Sequence, residues 1–285
     1  MSLPEIGDRL VAVLVCTGDN PESFALGQVE MILAILQARV SSCRFPGKVL
    51  KPLLGEPMLA RQIERVKRSR SIERLVVATS NDSSDDPIEK LCVTLEVDCF
   101  RGSLDDVLDR FYQAAKAHGA TDVVRLTGDC PLIDPEVIDK VIQFYRTGEY
   151  DYASNTLEPT FPDGLDIEVF RFECLEQAWR EAKLSSEREH VTLAIHRHPE
   201  RYKLGMLKNE RDLSALRWTV DEPDDYELIT KFYEALYPVN PEFGFEDIVR
   251  HVDANPELMT FNTGHRRNEG LEKSLVQDDN SSEKK

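Results

Sequence analysis

From Met31 onward, short apolar runs alternate with amphipathic stretches at the spacing that β-α-β units produce. The pattern predicts buried strands over 31–37, 74–80 and 122–127, and helices over 57–68, 87–95, 104–118 and 135–145. Such alternation is typical of an α/β fold with a mostly parallel, Rossmann-like sheet and helices on both faces. Ligands of these sheets bind at the carboxyl ends of the strands, so functional residues are expected directly after strands.

The regular alternation of predicted strands and helices ends after residue 150. Two further strands (151–156 and 165–170) and two helices (174–183 and 187–196) predict an inserted α+β lobe over 150–215. A return strand over 216–220 and closing helices over 224–237 and 245–254 follow. Residues 263–285 are polar with few apolar side chains, which predicts a disordered tail. Residues 1–30 form a leader that is either an extra edge element or not native to the fold.

The chain is acidic, with 35 Lys and Arg against 52 Asp and Glu, for a net charge of −17. That balance disfavours a general nucleic-acid binder. No apolar run approaches the length of a membrane span, and the acidic leader does not resemble a signal peptide. Six cysteines are dispersed without a C-x-x-C pair, so neither a disulfide framework nor a zinc ribbon is indicated. We therefore expect a cytoplasmic protein without nucleic-acid or membrane partners.

The loop after the first strand is locally basic. Residues 39–51 contain Arg39, Arg44, Lys48 and Lys51 and no acid. Ser41, Ser42 and Gly47 would allow backbone N–H groups to approach an anion, while arginine and lysine supply charge-assisted bonds to phosphate. The loop is neither a Walker A motif nor a G-x-G-x-x-G motif. It predicts a phosphate site, and the alternative is a solvated basic turn.

Carboxylates follow two predicted strands that are distant in the chain. Asp129 comes directly after the strand over 122–127, and Asp221 follows the strand over 216–220. Mg²⁺ typically takes one or two carboxylates together with phosphate oxygens and water. The two aspartates are therefore candidates for one magnesium site. Each of them alone is equally compatible with capping a helix.

Several ordered motifs carry a family resemblance. They are Ile35–Arg39, Ser42–Lys48, Gly55–Met58, Arg101–Ser103, Asp106–Leu108, Thr127–Ile133, Ser154-Asn155, Gly164–Phe170, Arg188–Thr192 and Trp218–Asp221. Together, over about residues 32–255, they resemble the cytidylyltransferases that activate acidic sugars. These include the 3-deoxy-manno-octulosonate and acylneuraminate enzymes and the SpsF-type family of spore-coat polysaccharide synthesis. The sequence departs from the family at Cys43, where a threonine is expected, and at Val40-Ser41.

The resemblance implies a nucleotidyltransferase domain over 31–262 with the nucleotide-diphosphosugar transferase fold. It further implies CTP as donor, an acidic sugar as acceptor, Mg²⁺ on Asp129 and Asp221, and a possible homodimer. The implied catalytic residues are Arg44, Lys48, Asp129 and Asp221. The implied nucleotide-binding residues are Arg39, Ser41, Ser42, Arg44, Lys48, Ser80, Gly102, Asp106, Arg110 and Asp129. The implied sugar-binding residues are Asn155, Asp166, Glu168, Arg188 and His190.

Three other functions are compatible with the same patterns. A GT-A-like glycosyltransferase would consume a nucleotide sugar, but such enzymes usually carry D-x-D after a strand, and residues 129–131 read Asp-Cys-Pro. A transferase acting on a sugar 1-phosphate would use uracil or guanine as the base. A non-catalytic sugar-binding subunit would need neither the metal carboxylates nor the basic loop. No general base is identified, and His190 is equally suited to holding substrate or to packing at an interface.

Overall fold

The structure, a computed structural model, describes residues 30–42 and 44–282. Residues 1–29 of the predicted leader lie outside the described residues, as does Cys43, where the sequence departs from the family motif. Across the described part, no helix is long and apolar enough to cross a membrane.

One seven-stranded sheet forms the centre of the molecule. Its strands run in the order β5-β4-β1-β6-β8-β7-β9, and a separate two-stranded ribbon pairs β2 with β3. The strands are β1 (Ile32–Gln37), β2 (Pro52–Leu53), β3 (Glu56–Pro57), β4 (Arg74–Ser80), β5 (Asp98–Gly102), β6 (Asp122–Thr127), β7 (Tyr152–Ser154), β8 (Glu168–Arg171) and β9 (Leu204–Met206). Only β8 runs against its neighbours, so the prediction of a mostly parallel sheet is confirmed.

Helices cover both faces of this sheet. They are α1 (Met58–Val66), α2 (Asp86–Thr94), α3 (Val107–Ala117), α4 (Pro135–Thr147), α5 (Phe172–Glu181), α6 (Ser185–Glu189), α7 (Leu193–His196), α8 (Pro223–Leu236), α9 (Phe245–Ala254) and α10 (Glu269–Ser282). The predicted helix over 187–196 is two short helices, because the backbone reverses at Val191, whose φ is 51°. The predicted helix over 104–118 begins only at Val107, after its N-cap Asp106.

The central strand β1 separates two hydrophobic cores. Ile32, Ala34 and Leu36 belong to the core beneath α1, α4, α8 and α9, whereas Leu33 and Ile35 belong to the core beneath α3 and α5. Successive side chains of a strand point to opposite faces, so a continuous apolar run fills both cores at once. This is why the strand carries no polar residue before Gln37.

Residues 150–215, predicted as an inserted α+β lobe, contribute three strands to the central sheet. Strands β7, β8 and β9 extend the central sheet, so this part of the chain is not a separate body. The predicted return strand over 216–220 forms only one bridge, between Asp163 and Arg217. Gly164 makes that approach possible, because its φ is +111° and an added Cβ would lie 2.5 Å from the Thr219 nitrogen. A side chain there would push the two segments apart.

The tail beyond residue 262 also differs from its prediction. The prediction was disorder over 263–285, whereas residues 269–282 form α10. Its anchors are polar: Asn262 donates to Asp225 at 2.7 Å, and Ser274 donates to Glu189 at 2.7 Å. Composition alone favours disorder because it registers the scarcity of apolar residues and not the hydrogen-bond partners supplied by the rest of the fold.

A buried arginine joins the closing helices to the sheet. Arg65 of α1 has 2% of its surface exposed and donates to the carbonyls of Ile133 at 2.7 Å and Phe243 at 2.9 Å. Asp134, 3.8 Å from the same guanidinium, caps α4 and also accepts from the Phe245 N–H at the start of α9. The position of α9 therefore depends on a network that is polar but fully enclosed.

We predict that Arg65→Met lowers the free energy of unfolding by on the order of 3 kcal/mol, because it leaves buried carbonyls without their donor and Asp134 without its cationic partner. Urea denaturation of the full chain measures this loss. Arg70→Met, which alters an exposed arginine in the loop after α1, is the matched control. A loss below about 1 kcal/mol for Arg65→Met would contradict the role of this network.

Candidate active site at the carboxyl edge of the sheet

The basic loop begins where β1 ends and is held in place by Asp85, which lies in the connection between β4 and α2. Asp85 is fully buried and accepts hydrogen bonds from the Val40 N–H at 2.7 Å and from the Ser80 N–H at 3.1 Å. Gly47, with a φ of 70°, then turns the chain into a short 3-10 turn that begins with Lys48. The loop therefore folds back over the sheet edge and directs Lys48 inward.

Lys48 joins the two predicted metal carboxylates. Its Nζ lies 2.8 Å from Asp221 Oδ1, 3.3 Å from Asp129 Oδ2 and 2.7 Å from the Val220 carbonyl, with 10% of the side chain exposed. Burial opposes the charged form, but the two carboxylates outweigh it and raise the pKa of Lys48. Burial likewise opposes ionisation of Asp129, and Lys48 nevertheless holds the pKa of Asp129 below its ordinary value. Both partners are thus ionised at neutral pH.

A second cation fixes the other side of Asp221. Arg217 makes a bidentate pair with Asp225 at 2.9 Å, contacts Asp163 at 2.9 Å, and reaches Asp221 Oδ2 at 3.2 Å. Asp225 in turn accepts from the Asp221 N–H and from the N–H of Glu222, the N-cap of α8. The Asp221 carboxylate is therefore oriented by a buried arginine. Arg44 approaches the Oδ2 atom of Asp221 at 2.9 Å from the solvent side.

The donor set at this point fits one divalent cation. Within the described ranges, no group of three or more histidine, cysteine or acidic side chains is placed to hold a metal ion together. Asp129 and Asp221 both contact the Lys48 Nζ, so they are close enough to bind one cation together. Mg²⁺ typically takes one or two carboxylates when phosphate oxygens complete its coordination shell. Lys48 now supplies the positive charge that such a cation would bring.

Two adjoining cavities open at these carboxylates. One, of about 420 Å³, is lined by the basic loop, α3 and the end of β6, while the other, of about 590 Å³, is lined by β8, α7 and the start of α10. They share the side chains of Arg44, Arg125, Asp129, His190 and Asp221. Ligands in the two cavities would therefore meet where Asp129 and Asp221 converge.

Most of the predicted site residues line these cavities. Those in the smaller cavity are Arg39, Ser42, Arg44, Lys48, Arg110, Asp129, His190 and Asp221. Those in the larger one are Arg44, Asp129, Asp166, Glu168, His190 and Asp221. Motifs that are separate in the sequence thus line one continuous groove along the carboxyl edge of the sheet.

Six predicted residues lie outside both cavities: Ser41, Ser80, Gly102, Asp106, Asn155 and Arg188. Asp106 is the N-cap of α3, and the side chains of three others have structural partners. Ser80 donates to Asp85 at 2.5 Å, and Asn155 is buried between the Leu165 carbonyl and the Ile167 N–H. Arg188 donates to the Trp179 carbonyl at 2.8 Å. These contacts hold loops that border the groove.

Glu168 and His190 are both occupied within the protein. Glu168 accepts from Arg125, from the Tyr152 hydroxyl at 2.7 Å and from the Thr192 hydroxyl at 2.5 Å. Burial opposes its ionisation, but Arg125 outweighs burial and holds the pKa of Glu168 below its ordinary value. Burial lowers the pKa of His190, whose Nε2 lies 3.0 Å from Ser274 Oγ of α10. At neutral pH His190 is therefore mainly an uncharged hydrogen-bonding group.

Sequence reasoning missed several residues of the groove. Arg125 spans both cavities, Arg217 orients Asp221, and Asp163 lies beside Arg217, where burial and the neighbouring Asp166 raise its pKa to about 7. The C-terminal segment was also missed, although the basic residues Arg266 and Arg267 in an otherwise polar tail were a usable signal. For Arg125 and Arg217 no local signal exists, because an arginine within a strand pattern does not reveal its partner.

We predict that Glu168→Gln destabilises the fold at pH 7 by about 3 kcal/mol, because it breaks a buried pair with Arg125. The stability that ionised Glu168 contributes is present above its ordinary pKa of 4.5 and is lost as the pH falls through its lower folded value. The cost of the substitution should therefore shrink in urea titrations performed below pH 4.5. A cost that stays constant with pH would contradict this, and Glu158→Gln, in an exposed ion pair with Lys208, is the control.

Comparison with known proteins identifies the family. The profile of the family described as Cytidylyltransferase matches residues 33–242. The spore coat polysaccharide biosynthesis protein SpsF of Bacillus subtilis (strain 168) is 35% identical over 238 residues, which cover 80% of this chain and 97% of that protein. A cytidylyltransferase structure from Leptospira borgpetersenii serovar Hardjo-bovis is 33% identical with a TM-score of 0.78, covering 84% of this chain and 100% of that one.

A more distant likeness concerns the fold alone. The CTP complex of CMP:2-keto-3-deoxy-manno-octonic acid synthetase superposes with a TM-score of 0.56 at 16% identity, covering 72% of this chain and 99% of that one. The sheet described above is thus the nucleotide-diphosphosugar transferase fold. With this fold, and with a profile that spans β1 to α8, the chain belongs to the cytidylyltransferase family.

Proposed function

We propose that this protein transfers CMP from CTP to an acidic sugar and releases pyrophosphate, in the cytoplasm, as a step of surface or spore-coat polysaccharide synthesis. One observation carries the proposal: a basic cavity and a sugar-sized cavity meet at two carboxylates held by one lysine. Family membership favours nucleotidyl transfer over the glycosyltransferase alternative. The names of SpsF and of the sugar-acid synthetase support the class of product.

The smaller cavity suits the nucleotide. Arg39 and Arg44 are exposed at its mouth, and Lys48 lies at its inner end. Guanidinium groups hold pairs of phosphate oxygens, whereas an ammonium group acts as a point charge. In this proposal the two arginines bind the triphosphate, and Lys48 stabilises the negative charge of the departing pyrophosphate.

The larger cavity suits the acceptor, whose hydroxyl would attack the α-phosphorus in line with the leaving group. Positioning accounts for most of the catalysis of such a displacement. Asp129 and Asp221 would hold Mg²⁺, which when bound supplies Lewis-acid activation of the phosphate and of the attacking hydroxyl. For a cation to bind there, the Lys48 Nζ must leave the carboxylates, which frees it for the phosphates. The same residue thus serves both states of the site.

We predict that Asp129→Asn and Asp221→Asn each reduce Mg²⁺-dependent pyrophosphate release by about a thousandfold or more, because each removes one of two metal carboxylates. A continuous pyrophosphate assay with CTP, Mg²⁺ and a panel of acidic sugars measures the effect. Asp253→Asn, which alters a surface pair with Arg211, is the control. Near-normal activity in either groove variant would remove that residue from the proposed metal site.

A separate prediction concerns binding of CTP before any chemistry. Lys48→Ala and Arg44→Lys should each weaken CTP binding by about tenfold, as measured by calorimetry without acceptor. The affinity of the wild type should also fall more steeply with added salt than the affinity of either variant. Lys90→Ala on the exposed face of α2 should have no effect. Unchanged affinity in both loop variants would mean that the basic loop is a solvated turn and that CTP binds elsewhere.

A further inference from the structure

The C-terminal segment over 262–278 crosses the larger cavity and is fixed on both sides of it. On one side Asn262 is buried and donates to Asp225, and on the other Ser274 bonds both Glu189 and His190. Between these anchors the cavity is lined by Arg266, Asn268, Glu269, Gly270 and Leu271. The segment lies beyond the family-profile match, which ends at residue 242. The acceptor side of the groove is therefore completed by residues outside the common family core.

Arg267 contacts the fold from the middle of this segment. Its guanidinium pairs with Asp166, donates to the Phe161 carbonyl at 3.3 Å and lies 3.8 Å from Asp163. Its side chain is 15% exposed. All three guanidinium nitrogens face acceptors of the protein: Nε faces Asp163, Nη1 the Phe161 carbonyl and Nη2 Asp166. Arg267 therefore acts on the cavity through the carboxylates that it holds.

Asp166 depends on Arg267 for charge compensation. Among the described residues, Arg267 is the only cationic side chain that forms an ion pair with Asp166, whereas Asp163 is also paired with Arg217. Asp166 lines the larger cavity, and Glu168, which lines it too, is compensated by Arg125. Without Arg267 one uncompensated carboxylate would therefore face any acceptor in this cavity. Like charges at a partly desolvated site repel each other strongly enough to decide between ligands.

The geometry points to Arg267 as a positioning residue that sets acceptor specificity: by neutralising and fixing Asp166, it allows an anionic sugar to occupy the larger cavity. This inference rests on the proposed function and adds the residue that would make a carboxylate-lined cavity compatible with an acidic acceptor. Arg267 contributes to acceptor binding only through charge. A neutral acceptor of the same shape gains little from it.

The experiment compares a charged acceptor with its neutral form in the full chain. Wild type is assayed with 3-deoxy-manno-octulosonate and N-acetylneuraminate at saturating CTP and Mg²⁺, and the better acceptor is then compared with its methyl ester. Arg267→Gln should raise KM for the acid about tenfold, while KM for the ester and KM for CTP change less than about twofold. Arg267→Lys should retain most of the affinity for the acid. Arg250→Gln, a surface arginine with 75% of its side chain exposed, is the control.

A double variant separates charge from mere loosening of the segment. Adding Asp166→Asn to Arg267→Gln removes the uncompensated carboxylate and should lower KM for the acid again, relative to Arg267→Gln alone. An Arg267→Gln effect that is equal for acid and ester, or absent for both, overturns the assignment and leaves the proposed function intact. No turnover by wild type with any sugar acid overturns the proposed function and this inference with it.

Discussion

The two-sided parallel pairing of β1 is the constraint on which the rest of the molecule depends. β1 is hydrogen-bonded to β4 on one side and to β6 on the other, with residues 33–37 in register with both. Because all three strands end together, the loops that follow them must meet at one edge. The Ala38 N–H reaches the Ala78 carbonyl at 3.1 Å, and the Gly128 N–H reaches the Gln37 carbonyl at 2.8 Å. The basic loop and Asp129 are therefore neighbours by backbone pairing, before any side chain contributes.

The site assembled at that edge is a balance of charges. Asp129 and Asp221 approach each other only because Lys48 lies between them and Arg217 supports Asp221 from behind. Without these cations the two negative charges would repel each other. The two cations and the two carboxylates thus fix one another's positions at the edge of the sheet.

Sequence reasoning identified the elements whose signal is local. The strands over 74–80 and 122–127 and the helix over 245–254 have the predicted bounds, because buried runs and amphipathic periods are properties of neighbouring residues. It also predicted that Asp129, Asp221 and Lys48 lie together, and in the structure Lys48 contacts both carboxylates. It could not find the partners of Arg125 or Arg217, which come from residues distant in the chain. The folded tail was missed for the same reason, because its stability depends on acceptors such as Asp225 and Glu189.

The placement of the two tryptophans gives the molecule its own optical reporters. Trp218 is 1% exposed, packs edge-on against Phe232 and Phe245, and lies three residues before Asp221. Trp179 is half-buried, stacks on Tyr112 and donates its indole N–H to Asp109 at 2.8 Å. The two indoles thus differ in polarity of surroundings and would emit at different wavelengths. Fluorescence of Trp218 can therefore report rearrangements of the carboxylate segment without any attached label.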